Sequence, residues 1–270
     1  MQTRFSTQQA TDHELREYRE AGYFVRAGVF GARELALLRA AVEAVHRSVL
    51  AEAARTGAAP VERIDDKRYQ RLLGSSVKWE WRDAAPEIRS MEPSHHLDAR
   101  LDALIDDARL WGPAASLLGQ ASLSLFSDKL NFKRPRGAPF PWHQDTPYWA
   151  FDCAHVEQLV SVMIYLDTAT RENGCLWVIP RSHAHGRLPC LEDRGVLGRL
   201  YTDLDKVDLA PPVALELPAG SLIFFHGDLV HGSRSNRTEQ SRRALILTYQ
   251  PGAQPRWQHD DIRSVEVTSQ

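Results

Sequence analysis

Apolar positions in the N-terminal half of the chain recur at the spacing of an α-helix. A long amphipathic helix is predicted from Ala32, because apolar residues follow every three or four positions, at Leu38, Val42, Val45 and Val49. Thr11 and Glu14 have the spacing of a capping box, which predicts a shorter helix before it. The run Tyr23-Phe24-Val25 predicts a brief strand between these two helices.

Helical spacing returns after residue 100. The apolar positions from Leu101 to Ala108 predict another helix. Pro113 suits the first turn of a further short helix, which Gly119 is expected to end.

The period changes in the C-terminal half, where short apolar runs alternate with turn residues. These runs predict strands, because each has strand length and is flanked by Pro, Gly or Asn. The predicted strands are Leu123–Phe126 continuing into Lys129–Lys133, Gln158–Leu166, Leu176–Ile179, Val213–Leu217, Leu222–Phe225 and Ala244–Tyr249. Asn173-Gly174 predicts a hairpin turn, in which glycine avoids the penalty of a positive φ.

Helices followed by many short strands predict an α+β fold, a double-stranded β-helix (jelly roll) braced by N-terminal helices. The length of 270 residues suits one domain covering residues 1–270. Within it, residues 1–10 are expected to form a loose polar arm. Residues 55–75 lose the helical period, and the segments 55–95 and 184–210 are expected to form lid loops that determine specificity.

Composition narrows the class of protein. The formal net charge is -2, from 33 Lys and Arg against 35 Asp and Glu, which argues against nucleic acid or an anionic membrane as the partner. The three cysteines form no Cys-x-x-Cys pair, which favours free thiols in a reducing cytoplasm. No apolar run has the length that crosses a bilayer, so a cytoplasmic location is expected.

One segment carries recognisable chemistry. Trp142-His143-Gln144-Asp145 is followed far downstream by His231. Two imidazoles and one carboxylate can hold a non-haem Fe(II) on one face and leave the opposite positions open for a cosubstrate and dioxygen. If His-x-Asp lies on a strand, its two side chains share one face. The triplet alone is weak evidence, because the same residues can hold Zn²⁺ in a hydrolase.

The surroundings of this triplet extend the pattern. Residues 129–149 have the sequence KLNFKRPRGAPFPWHQDTPYW, residues 171–183 have RENGCLWVIPRSH, and residues 218–245 have PAGSLIFFHGDLVHGSRSNRTEQSRRAL. In this order the three blocks resemble the phytanoyl-CoA dioxygenase family of Fe(II)- and 2-oxoglutarate-dependent oxygenases. The resemblance covers roughly residues 12 to 250.

The resemblance implies roles for particular residues. His143, Asp145 and His231 match the iron ligands, and no further catalytic residue is expected. Arg242, eleven positions after His231, matches the arginine that binds the distal carboxylate of 2-oxoglutarate, a group that a planar guanidinium binds bidentately. Further cosubstrate contacts are expected from Ser233, Asn131 and Lys129, of which Lys129 could instead contact the substrate.

Each assignment has an alternative. His226 competes with His231, but it stands at the end of a predicted strand and lacks the downstream serine and arginine at the family spacing. Arg243 competes with Arg242, and because both strand faces carry apolar residues, only the family spacing favours Arg242. Tyr148 and Trp149, beside the metal motif, are candidates for the substrate pocket or for the core.

The resemblance implies a dioxygenase that hydroxylates an unactivated C–H bond of a small-molecule metabolite, with succinate and CO2 as coproducts. The carboxylate at Asp145 favours hydroxylation, or desaturation or cyclisation, over halogenation. Lys129 favours a substrate with an anionic group. The alternatives are a zinc-type hydrolase and a non-catalytic jelly-roll binding module.

Overall fold

The computed structural model of the chain describes residues 9–56, 61–65, 67–80, 87–192 and 194–266. In this part of the chain the α-helices are α1 (Asp12–Ala21), α2 (Ala32–Thr56), α3 (Ala99–Asp102), α4 (Ala108–Leu118), α5 (Thr146–Trp149) and α6 (Gly195–Gly198). The strands are β1 (Tyr23–Arg26), β2 (Glu62–Ile64), β3 (Lys67–Leu72), β4 (Ser75–Trp79), β5 (Ile88–Glu92), β6 (Leu123–Asn131), β7 (Phe140–His143), β8 (Val160–Tyr165), β9 (Leu176–Val178), β10 (Val213–Leu215), β11 (Leu222–His226), β12 (His231–Ser233) and β13 (Ala244–Pro251). Most of the expected arm at residues 1–10 lies outside the described residues.

The first two helices form as predicted. Thr11 caps α1 through a capping box: its hydroxyl accepts from the Glu14 amide at 3.2 Å, and its own amide donates to the Glu14 carboxylate at 2.8 Å. Gly22 ends α1 with a φ of 87°, where a glycine is favoured. The apolar stripe of α2 is buried from Leu35 to Val49, as the spacing required.

The predicted start of the helix around Pro113 was wrong. α4 already begins at Ala108, because the Asp107 carboxylate accepts a hydrogen bond from the Arg109 amide at 2.9 Å and thereby caps the helix. Pro113 therefore lies inside α4. The predicted helix before it is divided into α3 and a 3₁₀ turn at Ala103–Asp106. Gly119 ends α4 in the left-handed conformation, as expected.

The strands form two antiparallel sheets. The larger has nine strands in the order β1-β11-β8-β13-β6-β5-β4-β3-β2, and the smaller has four in the order β10-β9-β12-β7. One apolar core, which includes Leu38, Val42 and Phe224, lies between the helices and the outer face of the large sheet. A second, which includes Met163, Phe225 and Val178, lies between the sheets. The predicted α+β jelly roll braced by helices is confirmed.

The described residues of the segment 55–95 form mainly strands and not loops, which corrects the prediction. Within its described residues, β2 to β5 extend the large sheet beyond β6. Val77 and Trp79 of β4 belong to the helix-side core, whereas Ser76 and Lys78 line a cavity on the other face. β3 has few apolar residues and the alternation of polar and apolar residues in β4 is short, so the segment gives only a weak strand signal in the sequence. Its function as a lid, and that of residues 184–210, stays a prediction.

The turn at Asn173-Gly174 does not form a hairpin. It lies in the connection between β8 of the large sheet and β9 of the small sheet, so the chain crosses from one sheet to the other there. Gly174 has a φ of 79°, and a Cβ at this position would clash with the Arg234 carbonyl oxygen. The positive φ of the glycine was predicted correctly. The pairing of the two flanking strands was not, because β8 and β9 belong to different sheets.

No helix in the described part of the chain has the length and apolarity needed to cross a membrane.

The change Gly174→Ala is expected to destabilise the fold more than Gly119→Ala. Both glycines have a positive φ, so both changes cost about 1–2 kcal/mol of backbone strain. Only the Cβ at 174 meets other atoms, because nothing lies within 4 Å of the position at Gly119. The additional cost at 174 is about 1–3 kcal/mol in the free energy of unfolding. Chemical denaturation of both variants measures the difference, and equal destabilisation would contradict the close approach at Gly174.

Candidate metal centre

Two paired strands bring the histidines of the predicted site together. β12 runs antiparallel to β7 in the small sheet, and His231 is directly opposite His143. The centroids of the two imidazole rings are 4.2 Å apart. Residues 88 positions apart in the sequence therefore face one another through a single strand register.

Asp145 completes the cluster from outside the strand. β7 ends at His143, and Asp145 has helical backbone angles at the start of α5, so the expected continuous strand through His-x-Asp was wrong. Its amide donates to the Gly227 carbonyl at 2.8 Å, which fixes the chain after the strand. The Asp145 carboxylate still lies 3.7 Å from Nε2 of His143 and 3.8 Å from Nε2 of His231.

The three side chains fit a metal ion. Their potential ligand atoms all lie within 4.8 Å of one another. Nδ1 of His143 is 2.7 Å from the Pro141 carbonyl oxygen, and Nδ1 of His231 is 2.9 Å from that of Leu229. A carbonyl oxygen only accepts, so each Nδ1 carries the proton and each Nε2 presents a lone pair. Two neutral imidazoles and a carboxylate are a donor set suited to Fe(II).

The protonation state agrees with this assignment. Burial and the neighbouring His231 hold the pKa of His143 well below its usual range. His143 is therefore neutral near pH 7, as a metal ligand must be.

The residue between the ligands fixes the surrounding loops. Gln144 is buried, and its amide nitrogen donates to the carbonyls of Gly186 and Asp228 at 2.8 and 2.7 Å. Its amide oxygen accepts from the Leu188 amide at 2.9 Å. Gln144 thus connects the metal-binding segment to the segment 184–210.

The structure separates the two candidate arginines. Arg242 is buried, lines the central cavity, and donates from Nε and Nη2 to the Gly174 carbonyl at 3.1 and 2.6 Å. Arg243 points away and pairs with Asp167 at 2.7 Å and with Glu43 at 2.9 Å. Of the two, only Arg242 lies in the cavity that contains the metal ligands.

Ser233 lies on β12, two positions after His231, and lines the same cavity. Its hydroxyl accepts from Nζ of Lys133 at 2.8 Å. Burial, with Arg242 nearby, lowers the pKa of Lys133 to about 6. Lys133 lies in the block of residues 129–149 that carries the family resemblance, but it was not predicted as a site residue, because no pattern in the sequence indicates that its side chain turns inward after β6.

Asn131 and Lys129 line the cavity from β6 of the large sheet. Asn131 is buried, and its Oδ1 has no hydrogen-bond partner among the described residues. Lys129 is half-buried. Both face the metal centre from the opposite sheet, and the cavity between the sheets has a volume of about 220 Å³.

The aromatic residues beside the metal motif divide between core and cavity. Trp149 is 6% exposed and packs edge-on against Phe126 with ring centroids 5.3 Å apart. Tyr148 is 41% exposed and lies 5.2 Å from the Trp257 ring. Both Tyr148 and Trp149 line the cavity.

Several lining residues come from the segment that was expected to be a loop. They share positions on the inner face of β3, β4 and β5, and they are Tyr69, Arg71, Ser76, Lys78, Arg89, Ser90 and Glu92. The alternate spacing of 69 and 71, of 76 and 78, and of 90 and 92 could have indicated strands with a polar face. These residues were not predicted because β3 and β5 lack a regular alternation of polar and apolar residues.

The rival histidine lies elsewhere. His226 ends β11, and its ring lies 6.0 Å from Tyr18 and 5.4 Å from His183. Its Nδ1 accepts from the Asp228 amide at 3.0 Å. His226 lines a separate cavity on the α1 side of the fold, and His231 alone of the two joins the cluster with His143 and Asp145.

The sequence of the chain is similar to those of known proteins. The chain is 34% identical over 151 residues to a methylphosphonate hydroxylase of Gimesia maris, a match that covers 56% of this chain and 54% of the relative. The chain thus spans about half the length of that relative. It is 27% identical over 243 residues to a probable alpha-ketoglutarate-dependent hypophosphite dioxygenase of Stutzerimonas stutzeri, covering 87% of this chain and 77% of the relative.

A solved structure shows the same architecture. The crystal structure of EctD from S. alaskensis with 2-oxoglutarate and 5-hydroxyectoine superposes with a TM-score of 0.63 at 25% identity, covering 93% of this chain and 79% of that chain. The family model described as Phytanoyl-CoA dioxygenase (PhyH) matches residues 18–244, which include all three metal-centre residues and Arg242. The chain therefore belongs to the phytanoyl-CoA dioxygenase family.

Proposed function

We propose that this protein is an Fe(II)- and 2-oxoglutarate-dependent dioxygenase. It would hydroxylate, or otherwise oxidise, an unactivated C–H bond of a small molecule, with succinate and CO2 as coproducts. One observation carries the proposal: His143, Asp145 and His231 converge in the same cavity that holds the buried guanidinium of Arg242. A metal triad alone is compatible with several chemistries, whereas a triad beside a buried arginine suits a chelating dicarboxylate.

The residues of the metal centre would hold the iron and leave room beside it. Nε2 of His143, Nε2 of His231 and one carboxylate oxygen of Asp145 are the expected ligand atoms. When bound, Fe(II) would supply the dioxygen chemistry that couples decarboxylation of 2-oxoglutarate to oxidation of the substrate. The carbonyl groups of Pro141 and Leu229 keep both imidazoles in the orientation and tautomer that this requires.

The cosubstrate end of the cavity is prepared for a carboxylate. The Gly174 carbonyl holds the Arg242 side chain through two donors, so the guanidinium is oriented before any ligand arrives. Lys133 donates to the Ser233 hydroxyl, which leaves the hydroxyl hydrogen of Ser233 free to donate to a carboxylate. An anion here would also stabilise the charged form of Lys133, whose pKa is about 6. Asn131 and Lys129 are proposed as further contacts.

The substrate would enter over the aromatic side of the cavity. Tyr148 and Trp149 lie next to the metal motif and would pack against an apolar part of the substrate. Leu197, Leu200 and Tyr201, from the segment 184–210, close part of the same cavity, which supports a covering role for that segment. The cavity volume of about 220 Å³ favours a small substrate, and Lys129 favours one with an anionic group. Buried free thiols at Cys153 and Cys175 support the cytoplasmic location.

The change Asp145→Ala is expected to abolish Fe(II) binding and succinate release, because two imidazoles alone hold the ion weakly. We expect the affinity for Fe(II) to fall by more than about 100-fold. Anaerobic titration with Fe(II) measures binding, and succinate release with mass detection across candidate substrates measures turnover, with a product gain of about 16 mass units for one oxygen.

The exposed Asp208, which is remote from the cavity lining, provides the matched control Asp208→Ala. Unchanged succinate production in Asp145→Ala would reject the ligand assignment. Substrate turnover that persists without dioxygen would instead indicate a zinc-type hydrolase, and failure to bind both Fe(II) and 2-oxoglutarate would indicate a binding module.

The change Arg242→Gln is expected to weaken 2-oxoglutarate binding by roughly 10- to 100-fold, the loss of about 1.5–3 kcal/mol from a charged hydrogen-bonded pair. Arg243→Gln should leave this affinity within about threefold, because Arg243 pairs with Asp167 and Glu43 outside the cavity. Calorimetric titration of both variants with 2-oxoglutarate shows which of the two arginines binds its carboxylate. A larger loss in the Arg243 variant would exclude Arg242 as the carboxylate partner.

A further inference from the structure

The cavity beside the metal centre has an excess of positive charge. The cationic side chains that line it are Arg71, Lys78, Arg89, Lys129, Arg242 and Arg256, and the carboxylates are Glu92, Asp128 and Asp145. Most of these charges already have a partner or a proposed role. The charged side chains without a partner or a proposed role indicate what kind of ligand the cavity accepts.

Two of the cations are paired with carboxylates outside the lining. Arg89 lies 3.6 Å from the Glu80 carboxylate, and both side chains are buried. Arg256 lies 2.7 Å from Asp261. These two arginines are therefore compensated without a ligand.

Two of the carboxylates are also accounted for. Asp128 is buried, accepts from the amide of Ser94 at 2.7 Å and lies 2.5 Å from Nδ1 of His95, so it stabilises the turn after β5. Asp145 belongs to the metal centre, and Arg242 to the proposed cosubstrate site. An Fe(II) ion, Asp145, a dianionic 2-oxoglutarate and Arg242 together carry no net charge.

Three cations and one carboxylate remain: Arg71, Lys78, Lys129 and Glu92. Among the residues that the structure describes, none of the three cations forms an ion pair with a carboxylate, although Lys78 lies 5.1 Å from the centre of the Tyr69 ring. The hydroxyl of Ser127 donates to the Glu92 carboxylate. With Lys78 protonated, this group therefore leaves two positive charges beside the neutral metal centre.

The sheet register places these charges on one face. Lys78 of β4 is opposite Ser90 of β5, which is opposite Asn131 of β6. Residues opposite each other on neighbouring strands share a face, so Lys78 projects to the same side as Asn131 and as Lys129, two positions earlier on β6. In the adjacent row, Arg71 of β3 pairs with Ser76. The three cations thus come from three strands and surround one region of the cavity.

Lys78 lies in an environment where burial and neighbouring cations outweigh the one nearby carboxylate, Glu92. Burial lowers the pKa of Lys78 to about 7, and the cations Lys129, Arg89 and Lys67 lower it further, in that order. Glu92 opposes this shift but ranks behind all three. A buried ammonium surrounded by like charges is stabilised when an anionic ligand enters.

We propose that the substrate carries a dianionic tetrahedral oxyanion, a phosphonate or phosphate monoester, which binds to Lys78 and Lys129 with Arg71 at the entrance. The inference rests on the proposed function and identifies the substrate class for that site. A dianion matches the two uncompensated charges, and a tetrahedral group offers three oxygens to cations from three directions, whereas a carboxylate offers two oxygens in one plane. The oxyanion would anchor the substrate at β4 and β6, with its reacting carbon towards the metal centre.

The test is a calorimetric titration of the full chain, loaded anaerobically with Fe(II) and 2-oxoglutarate, with methylphosphonate and inorganic phosphate as probes. Bound 2-oxoglutarate keeps the probes away from Arg242. Methanesulfonate, a tetrahedral monoanion of similar size, is the matched ligand. We expect methylphosphonate or phosphate to bind at least about tenfold more tightly than methanesulfonate, with an affinity that falls as salt is added.

Variants locate the site. Lys78→Met removes the charge and should weaken binding of the dianions at least about tenfold, while Lys78→Arg retains the charge and should stay within about threefold of the unchanged protein. Arg63→Gln on β2 removes a charge from an exposed residue of the same sheet that does not line the cavity, and should not affect binding. Thermal unfolding of each variant checks the fold, and Lys78→Arg remains informative if Lys78→Met does not fold.

Three results would overturn the inference: no measurable binding of either dianion, equal binding of methanesulfonate, or undiminished binding in a folded Lys78→Met variant. A parallel titration with Fe(II) and 2-oxoglutarate alone separates this inference from the proposed function. If neither of these binds while the metal-free chain still binds methylphosphonate through Lys78, the dioxygenase proposal fails and the oxyanion site stands. If Fe(II) and 2-oxoglutarate both bind and the dianions do not, the oxyanion site fails and the dioxygenase proposal stands.

Discussion

The register between β7 and β12 is the constraint on which the rest of the site depends. It places His231 opposite His143, and the backbone carbonyls of Pro141 and Leu229 then orient both rings. A shift of one residue would turn His231 to the other face of the sheet. Hydrophobic packing between the sheets, through residues such as Val178 and Phe225, fixes this register, so the apolar core determines the geometry of the polar centre.

The cosubstrate end of the cavity depends on a second close approach. Gly174 brings its carbonyl against the buried guanidinium of Arg242, and the neighbouring Arg234 carbonyl leaves no room for a side chain at this position. Lys133 lies beside it and donates to Ser233. Burial beside Arg242 lowers the pKa of Lys133 to about 6, so an anionic ligand would stabilise its charged form. This part of the protein is therefore organised for a ligand before the ligand is present, which is the usual basis of tight and selective binding.

The two ends of the cavity have different origins in the chain. The metal ligands and Arg242 come from the blocks around β7, β12 and β13, which carry the family resemblance, and the model of the family matches residues 18–244. The inner face of β3, β4 and β5 adds Arg71, Lys78 and Glu92 to the same cavity. The polar residues on the inner face of such strands can change without disturbing the metal centre, because only the outer face of the strands contributes to the helix-side core. Such an arrangement allows the substrate to change while the chemistry is retained.

The sequence by itself determined the helices α1 and α2, the apolar strands of the jelly roll and the identity of the clustered side chains, because these depend on local periodicity and motif spacing. It did not determine the strands between residues 62 and 92, whose inner residues are polar because they face a cavity. Nor did it show that Arg242 points inward while Arg243 pairs with Asp167, since both strand faces are apolar in the sequence. Those outcomes depend on which strands become neighbours, and only the packing of the two sheets decides that.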